Sequence, residues 1–110
     1  MSKANLDSTL AALADPYRRR AIELLRQRLH RAGELAEAMR LSFPAASRHL
    51  KVLRRSGLVD EERDEFDSRV RIYRLRPGPI ADLKSWLTET DALWARQLMA
   101  FKAHLQKSSQ

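Results

Sequence analysis

The chain has 110 residues and a formal net charge of +7, from 21 Lys and Arg against 14 Asp and Glu. This length predicts a single domain over residues 1–110, and the absence of cysteine excludes disulfides, thiol catalysis, iron–sulfur clusters and Cys-based zinc sites. No apolar run approaches the roughly 20 residues of a membrane span, and the first residues lack the apolar core of a secretory signal. We therefore expect a cytoplasmic protein, and the positive charge favours an anionic partner such as nucleic acid.

Apolar residues at helical spacing predict four helices in the first half of the chain. We place these helices at about residues 5–14, 16–28, 33–39 and 43–56. Asp15 is positioned to cap the second helix, whose first residue would be Pro16. Ser42 is a good N-cap for the fourth helix, and Gly57 follows that helix where a left-handed residue is needed.

Two strands are predicted after the fourth helix, forming a small hairpin over residues 58–76. Leu58 and Val59 begin the first strand, and a β-branched and aromatic run within 69–75 forms the second. The link over 60–67 is polar and turn-prone, and it holds six acids. We therefore expect an acidic hairpin tip, which the phosphates of DNA would repel.

The last predicted element is a long amphipathic helix over about 79–106. Its apolar face repeats every three or four positions and consists of Ile80, Leu83, Leu87, Thr90, Trp94, Leu98, Phe101 and Leu105. Such a helix spans roughly 40 Å, which is too long for a small core to bury. We expect it to pair with a second copy of the chain. The alternative is a helix that packs only on its own domain.

The third and fourth helices and the short turn between them form a helix-turn-helix over residues 33–56. In such units the second helix enters the major groove of DNA. The spacing of Ala46, Leu50 and Leu53 turns these three residues inward. The opposite side of the helix faces outward, and there we expect contacts with DNA from Ser42, Pro44, Ala45, Ser47, Arg48, His49, Lys51 and Arg55.

These eight residues divide by the contacts that we expect of them. Hydrogen-bond donors and a methyl group for base edges come from Ser42, Ala45, Ser47 and Arg48. Lys51 and Arg55 lie farther along the helix, where phosphates are the expected partners. His49 either lies beside the helix-turn-helix core or touches a phosphate. The alternative for the whole basic face is a solvated surface without a ligand.

Three further arginines are candidates for DNA contact. Arg18 lies with Arg19 and Arg20 in the first turn of the second helix, where cations oppose the helix dipole. Two explanations remain for Arg18. Its guanidinium contacts a phosphate, or its aliphatic stem covers the edge of the core while the guanidinium stays in solvent. Arg69 and Arg71 share one face of the returning hairpin strand, from which they could lie along the DNA backbone or probe the minor groove.

Several stretches together resemble the ArsR-type winged helix-turn-helix repressors. These stretches are 13–18 (LADPYR), 33–36 (GELA), 41–53 (LSFPAASRHLKVL), 56–59 (SGLV) and 71–75 (RIYRL). The resemblance covers about residues 6–76 by motif and the last helix by position. It implies a winged helix-turn-helix fold, mainly α with a small β-hairpin, in the order α-α-α-α-β-β-α.

The resemblance also implies a homodimer that binds an imperfect inverted repeat in promoter DNA and acts as a repressor. It pairs the two copies through the first and last helices, which gives the dimerisation residues Leu6, Leu10, Leu87, Trp94, Leu98 and Phe101. Family members often release DNA on binding a metal, but the position of the family's thiolate site falls within 34–39, which holds no Cys. We therefore expect the metal-independent branch, without a cofactor.

Other metal sites and other functions have less support in the sequence. The acids of the last helix and its single histidine, His104, lack the spacing of paired ligands, and His30 and His49 do not lie near them. No phosphate-binding glycine loop, nucleophile elbow or HExxH motif is present, so we expect no enzyme. The remaining alternatives are a winged-helix protein-interaction module that uses its acidic hairpin, and a non-specific DNA-binding protein.

Overall fold

The computed structural model describes residues 3–108 as five helices and three short strands. Their bounds are α1 (Lys3–Leu13), α2 (Pro16–Gln27), β1 (His30–Arg31), α3 (Ala32–Met39), α4 (Phe43–Arg55), β2 (Val59–Arg63), β3 (Arg71–Leu75) and α5 (Pro77–Ser108). The strands form one antiparallel sheet in the order β1-β3-β2. The predicted elements follow in the predicted order, with β1 added, so the fold class of a winged helix-turn-helix with a small sheet is confirmed.

The hydrophobic core lies between α2, α3, α4 and the sheet. Leu35 of α3, Leu50 and Leu53 of α4 and the following Leu58 are fully buried. In α4 the buried Ala46, Leu50 and Leu53 recur every three or four positions, which is the spacing of one helix face. Replacing a core leucine of this kind by Ala costs about 2–5 kcal/mol. The packing therefore holds one face of α4 against α3 and leaves the other face to solvent.

The predicted helix caps are present. One carboxylate oxygen of Asp15 accepts hydrogen bonds from the backbone N–H groups of Tyr17 at 2.8 Å and Arg18 at 3.2 Å. The hydroxyl of Ser42 accepts from the backbone N–H three residues on, at 3.3 Å. Gly57 has a φ of 75°, which side chains with a Cβ rarely adopt. Local sequence thus determines where α2 and α4 begin and where α4 ends.

Strand β1 is not predicted by the sequence pattern, because a strand of two residues carries no periodicity. His30 pairs with Tyr73 and Arg31 with Ile72, so that β1 forms the free edge beside β3. The buried His30 donates its Nδ1–H to the Arg28 carbonyl at 2.9 Å. This short pairing attaches the start of α3 to the hairpin.

Strand β2 corrects the interpretation of residues 60–67 as a turn-prone link. The strand includes residues 60–63, so the loop between β2 and β3 is shortened to 64–70. Acidic residues are poor strand formers, but here they face arginines of the neighbouring strand, as Glu62 faces Arg74 at 3.0 Å. These cross-strand ion pairs offset the low propensity.

Helix α5 begins earlier than predicted and extends beyond the rest of the molecule. Pro77 and Pro79 form its first turn, where the missing N–H groups would have no helical acceptor. Ile80 packs against the core, but no residue of α5 is fully buried. The molecule measures 74 Å along its longest axis and only 27 Å and 23 Å across. None of the helices within residues 3–108 has the length and apolar character of a membrane span.

Candidate nucleic-acid interface

A left-handed residue makes the turn between α3 and α4. Arg40 has a φ of 56° and a ψ of 41°, and its N–H donates to the Glu37 carbonyl at 3.1 Å. The next N–H, that of Leu41, donates to the Ala36 carbonyl at 3.0 Å. These two bonds close the end of α3, and Ser42 then begins α4 in a changed direction. The turn therefore fixes the orientation of α4 on the core.

The solvent face of α4 carries the residues that the sequence predicts at DNA. The exposed members are Ser42, Pro44, Arg48, Lys51 and Arg55. Ala45 and Ser47 are half-buried beside them. The structure thus brings seven of the eight predicted contacts of the helix-turn-helix to one surface. The eighth, His49, takes a different role.

Arg48, Lys51 and Arg55, which we call the α4 face, are unpaired cations. Within residues 3–108 none of the three side chains makes an ion pair or a hydrogen bond. No acid lies in α4 or in the turn that precedes it. The α4 face is therefore a concentrated positive surface that can neutralise phosphates without first breaking a contact inside the protein.

Most arginines of the wing, which we define as β2, β3, the loop 64–70 and the following Arg76, have carboxylate partners instead. Arg63, the last residue of β2, has none within residues 3–108. The wing pairs are Arg69 with Asp67, Arg71 with Glu61, Arg74 with Glu62 and Arg76 with Asp60. Arg31 of β1 reaches Asp64 at 3.5 Å. Five of the six acids expected to form a repulsive tip are therefore paired with arginines. The hairpin is acidic as expected, but arginines balance most of its acids, and the repulsion of phosphate stays a prediction.

Glu61 joins the wing to α4. Its side chain is only 12% exposed, and it accepts a hydrogen bond from the Tyr73 hydroxyl at 2.7 Å and another from Arg71. Arg54 of α4 lies 3.5 Å from the same carboxylate. Burial opposes the charge of Glu61, but the Tyr73 and Arg71 hydrogen bonds outweigh it and lower its pKa. Burial and the neighbouring carboxylate raise the pKa of Tyr73.

The role of Glu61 is not predicted from the sequence, where it is one acid among six. Its signal is the alternation that begins at Val59, which turns every second residue of β2 inward. In the observed register Glu61 lies opposite Tyr73. Without knowledge of this register, the pairing of a carboxylate with a buried tyrosine cannot be read from the sequence.

Arg18 contacts helix α1 rather than projecting into solvent. Its Nε donates to the Ala12 carbonyl at 2.7 Å, and Nη2 lies 3.3 Å from the Ala11 carbonyl. Arg19 donates in the same way to Leu13 at 2.8 Å. The two arginines satisfy carbonyls at the end of α1, which have no partner within the helix. Neither explanation considered from the sequence includes this capping contact.

His49 is held between α2 and α4. Its ring stacks on Tyr17 with 5.7 Å between the ring centres, and Nδ1 lies 3.3 Å from Arg18. Asp15 is 4.0 Å from the same nitrogen. Burial of Asp15 opposes its charge, but the backbone N–H bonds from Arg18 and Tyr17 and the nearby His49 lower its pKa. This placement matches the prediction of a histidine beside the helix-turn-helix core.

The residues predicted for dimerisation differ in how much surface they offer. Leu6 is buried within the chain, whereas Leu10 on the same helix is exposed. On α5 the exposed apolar residues include Leu87, Trp94, Leu98 and Phe101, and Trp94 is 63% exposed. Five of the six candidates thus have free apolar surface. In the described part of the chain no three His, Asp or Glu side chains cluster as a metal site would require.

Comparisons with known proteins agree with this geometry. A family model described as "Bacterial regulatory protein, arsR family" matches residues 15–61. The HTH-type transcriptional regulator Rv2034 of Mycobacterium tuberculosis is 38% identical over 95 residues, covering 86% of this chain and 83% of that protein. The transcriptional repressor SdpR of Bacillus subtilis is 27% identical over 82 residues, covering 74% and 88%. A solved ArsR-like transcriptional regulator from Rhodococcus sp. RHA1 superposes with a TM-score of 0.82 at 29% identity, covering 94% and 93%.

Proposed function

The chain belongs to the ArsR family of bacterial regulatory proteins and is a DNA-binding transcriptional regulator, and we propose that it represses a promoter by binding an inverted repeat as a homodimer. Its relatives are named as regulators or repressors, not as enzymes. Because a bacterial promoter lies in the cytoplasm, we also propose that the protein acts there.

The observation that carries the proposal is the α4 face of unpaired cations. We assign Lys51 and Arg55 to phosphates, because they lie along the later turns of the helix. Arg48 lies in the second turn, where a recognition helix reaches base edges, and its guanidinium matches the acceptors of guanine. Ser42, Pro44, Ala45 and Ser47 complete this contact surface. His49 and Arg18 are assigned instead to holding α4 and α1 on α2.

The exposed apolar side of α5 supports the homodimer. A contiguous apolar surface of this length is rare on monomeric proteins and marks an interaction site. Two copies paired through α5 and Leu10 of α1 would present two α4 helices related by a twofold axis. We expect these helices to lie roughly 34 Å apart, which is one turn of DNA.

Selection of bound duplexes from a random pool tests the DNA specificity. We expect an inverted repeat whose half-sites are about one helical turn apart. On the selected site, Arg48→Ala should weaken binding by about 1–3 kcal/mol and should weaken binding to random duplex much less. Arg96→Ala on α5 is the matched control and should change neither. Equal losses on both duplexes would remove Arg48 from base readout, and the absence of an enriched sequence would leave only non-specific binding.

Sedimentation of a Trp94→Glu variant tests the dimer. A charge at this exposed apolar position should dissociate the dimer, and it should lower the affinity for the selected site because only one α4 then binds. Gln97→Glu adds the same charge on the same helix without removing apolar surface, so it is the control. A dimer of unchanged stability in the Trp94→Glu variant would contradict an interface through α5.

A further inference from the structure

A cleft with largely apolar walls lies between the wing and the helix-turn-helix, apart from the hydrophobic core and the α4 face. The cleft has a volume of about 400 Å³, and its apolar walls are Ala32, Gly33, Phe43 and Val70. We call it the wing cleft. Phe43, the first residue of α4, is 55% exposed beside it. The volume lies within the range of small-molecule sites, which are concave and mostly apolar with a few charged groups.

Gly33 keeps the wing cleft open. It lies in the first turn of α3, and a Cβ built on it would meet no atom within 4 Å. Close packing therefore does not require glycine at this position, and its φ is in the ordinary range. A glycine also weakens a helix relative to alanine. The space above Gly33 is consequently available to a ligand, and a side chain introduced there would fill it.

The charged residues of the wing cleft favour an anion. Three arginines, Arg31, Arg69 and Arg71, are among its lining residues, against one acid, Glu34. The Glu34 carboxylate is already engaged by Arg28 at 2.9 Å and by the Arg31 N–H at 3.0 Å. The Arg28 hydrogen bond is the main reason that the pKa of Glu34 is lowered.

The acids that pair with the three lining arginines do not line the cleft themselves. Asp64, Asp67 and Glu61 contact the arginines from the wing, whereas the lining contains none of these three. A guanidinium has five N–H donors, and the acids of the wing occupy only one or two on each arginine. An anion beside the apolar walls could therefore accept from the remaining N–H groups without displacing the acids. A hydrated sugar-phosphate chain does not match the carbon walls, but a compact anion with an apolar body does.

We propose that the wing cleft binds a small organic anion with an apolar or aromatic body, and that the bound anion weakens DNA binding. The second part rests on the proposed function. Phe43 begins the α4 helix that we assign to DNA, Arg69 lies in the loop 64–70 and Arg71 begins β3. A molecule lodged between them occupies the surface at which both elements would approach DNA. The site thereby couples a metabolite of this class to the promoter without a metal.

Fluorescence of 1-anilinonaphthalene-8-sulfonate, an aromatic sulfonate, tests the binding site in the absence of DNA. We expect saturable binding to the wild-type dimer. Gly33→Leu should bind about tenfold more weakly, because the leucine side chain would fill the cleft and exclude the aromatic rings of the probe. Ala38→Leu adds the same side chain to an exposed position of α3 outside the cleft and should bind as the wild type does. Equal binding by all three proteins would overturn the site.

A second variant tests the charge preference and does not depend on how Gly33→Leu folds. Arg69 is 90% exposed, so Arg69→Gln should leave the fold intact. It should weaken binding of the sulfonate several-fold but leave binding of the neutral N-phenyl-1-naphthylamine unchanged, since only the first probe carries a charge. An equal effect on both probes, or no effect on either, would overturn the assignment of an anion.

The regulatory part is tested by measuring DNA affinity with and without the sulfonate. At a saturating concentration we expect about tenfold weaker DNA binding by the wild type and no change for Gly33→Leu. If the sulfonate occupies the cleft and the wild type still binds DNA with unchanged affinity, the proposed regulation is wrong. Failure of the proposed function would be distinct, because DNA binding would then be absent without any probe while the fluorescence results stood.

Discussion

The α4 face and the wing are both rich in cations, but they differ in what those cations contact. Arg48, Lys51 and Arg55 make no contact with an acid within residues 3–108. On the wing, by contrast, four of the five arginines have carboxylate partners, namely Arg69, Arg71, Arg74 and Arg76, and only Arg63 has none within the same residues. An unpaired cation that meets a phosphate releases counterions, whereas the charge of a paired cation is already balanced by its carboxylate and adds little to that release. Counting arginines along the sequence therefore overstates what the wing contributes to DNA affinity.

The largest effect is expected when two cations are replaced in each region. Lys51→Gln combined with Arg55→Gln should reduce the salt dependence of DNA binding by about two phosphate contacts, with about a 10–100-fold loss of affinity near physiological salt. The matched pair Arg74→Gln and Arg76→Gln removes the same charge from the wing. Its effect on the salt dependence should be much smaller, because these arginines are held by Glu62 and Asp60.

Titrations of DNA at several salt concentrations measure both double variants. Equal reductions in slope would show that the wing arginines leave their carboxylates in the complex, and the distinction drawn from the free protein would not extend to the bound state. A larger reduction for the wing pair would reverse the assignment of the principal phosphate contacts to α4.

A smaller effect is expected from Glu61→Gln, which converts paired cations into unpaired ones. The change weakens the links to Tyr73, Arg71 and Arg54, and we expect a loss of about 1–2 kcal/mol in the free energy of unfolding. The freed arginines should raise the salt slope by up to about one unit. Glu65→Gln, at an exposed position of the loop 64–70 whose side chain pairs with no arginine within residues 3–108, is the control. An unchanged melting temperature would exclude Glu61 as the link between wing and α4.

The same variant predicts a pH dependence. The pKa of Glu61 in the folded protein is below its ordinary value of 4.5, so its carboxylate stabilises the fold at neutral pH. This contribution is lost as the pH falls through the folded pKa, whereas Gln at this position does not titrate. The stability difference between wild type and Glu61→Gln should therefore be constant near neutral pH and shrink as the pH falls below 4.5. A constant difference, measured by thermal melts across this range, would contradict the charge of Glu61 as its source.

The features that the sequence predicts correctly depend on neighbouring residues. The caps at Asp15 and Ser42, the left-handed Gly57 and the inward spacing of α4 all involve positions within a few residues. Each carries a local pattern with a physical cause. The helix-turn-helix and the α4 face could therefore be located without a structure.

The features that the sequence does not reveal depend on contacts between distant positions. Strand β1 exists through its pairing with β3, about 40 residues later. Arg18 meets His49 across 31 positions, and Tyr73 meets Glu61 across 12. Arg18 appears in the sequence as one more exposed cation, although its guanidinium caps α1. Whether a charge is available to a ligand is thus a tertiary property, which charge counts alone do not give.

The smallest expected effect concerns Arg40, whose backbone conformation affects stability while its side-chain charge affects DNA binding. Its φ of 56° is left-handed, a conformation that costs roughly 1 kcal/mol or more for a residue with a Cβ. Its guanidinium makes no hydrogen bond or ion pair with another described residue, so it belongs with the unpaired cations of the helix-turn-helix rather than with the paired cations of the wing. Arg40→Gly should remove the backbone cost and raise stability by about 0.5–1 kcal/mol.

Arg40→Ala separates the two contributions, because it removes the same charge but keeps the Cβ. We expect the Gly variant to melt a few degrees above the Ala variant, while both lose DNA affinity to the same small extent and show the same reduction in salt slope. A Gly variant with lower affinity than the Ala variant would mean that the turn must be rigid for α4 to bind DNA. In that case the geometry of the turn, and not only the free charge beside it, would distinguish the helix-turn-helix from the wing.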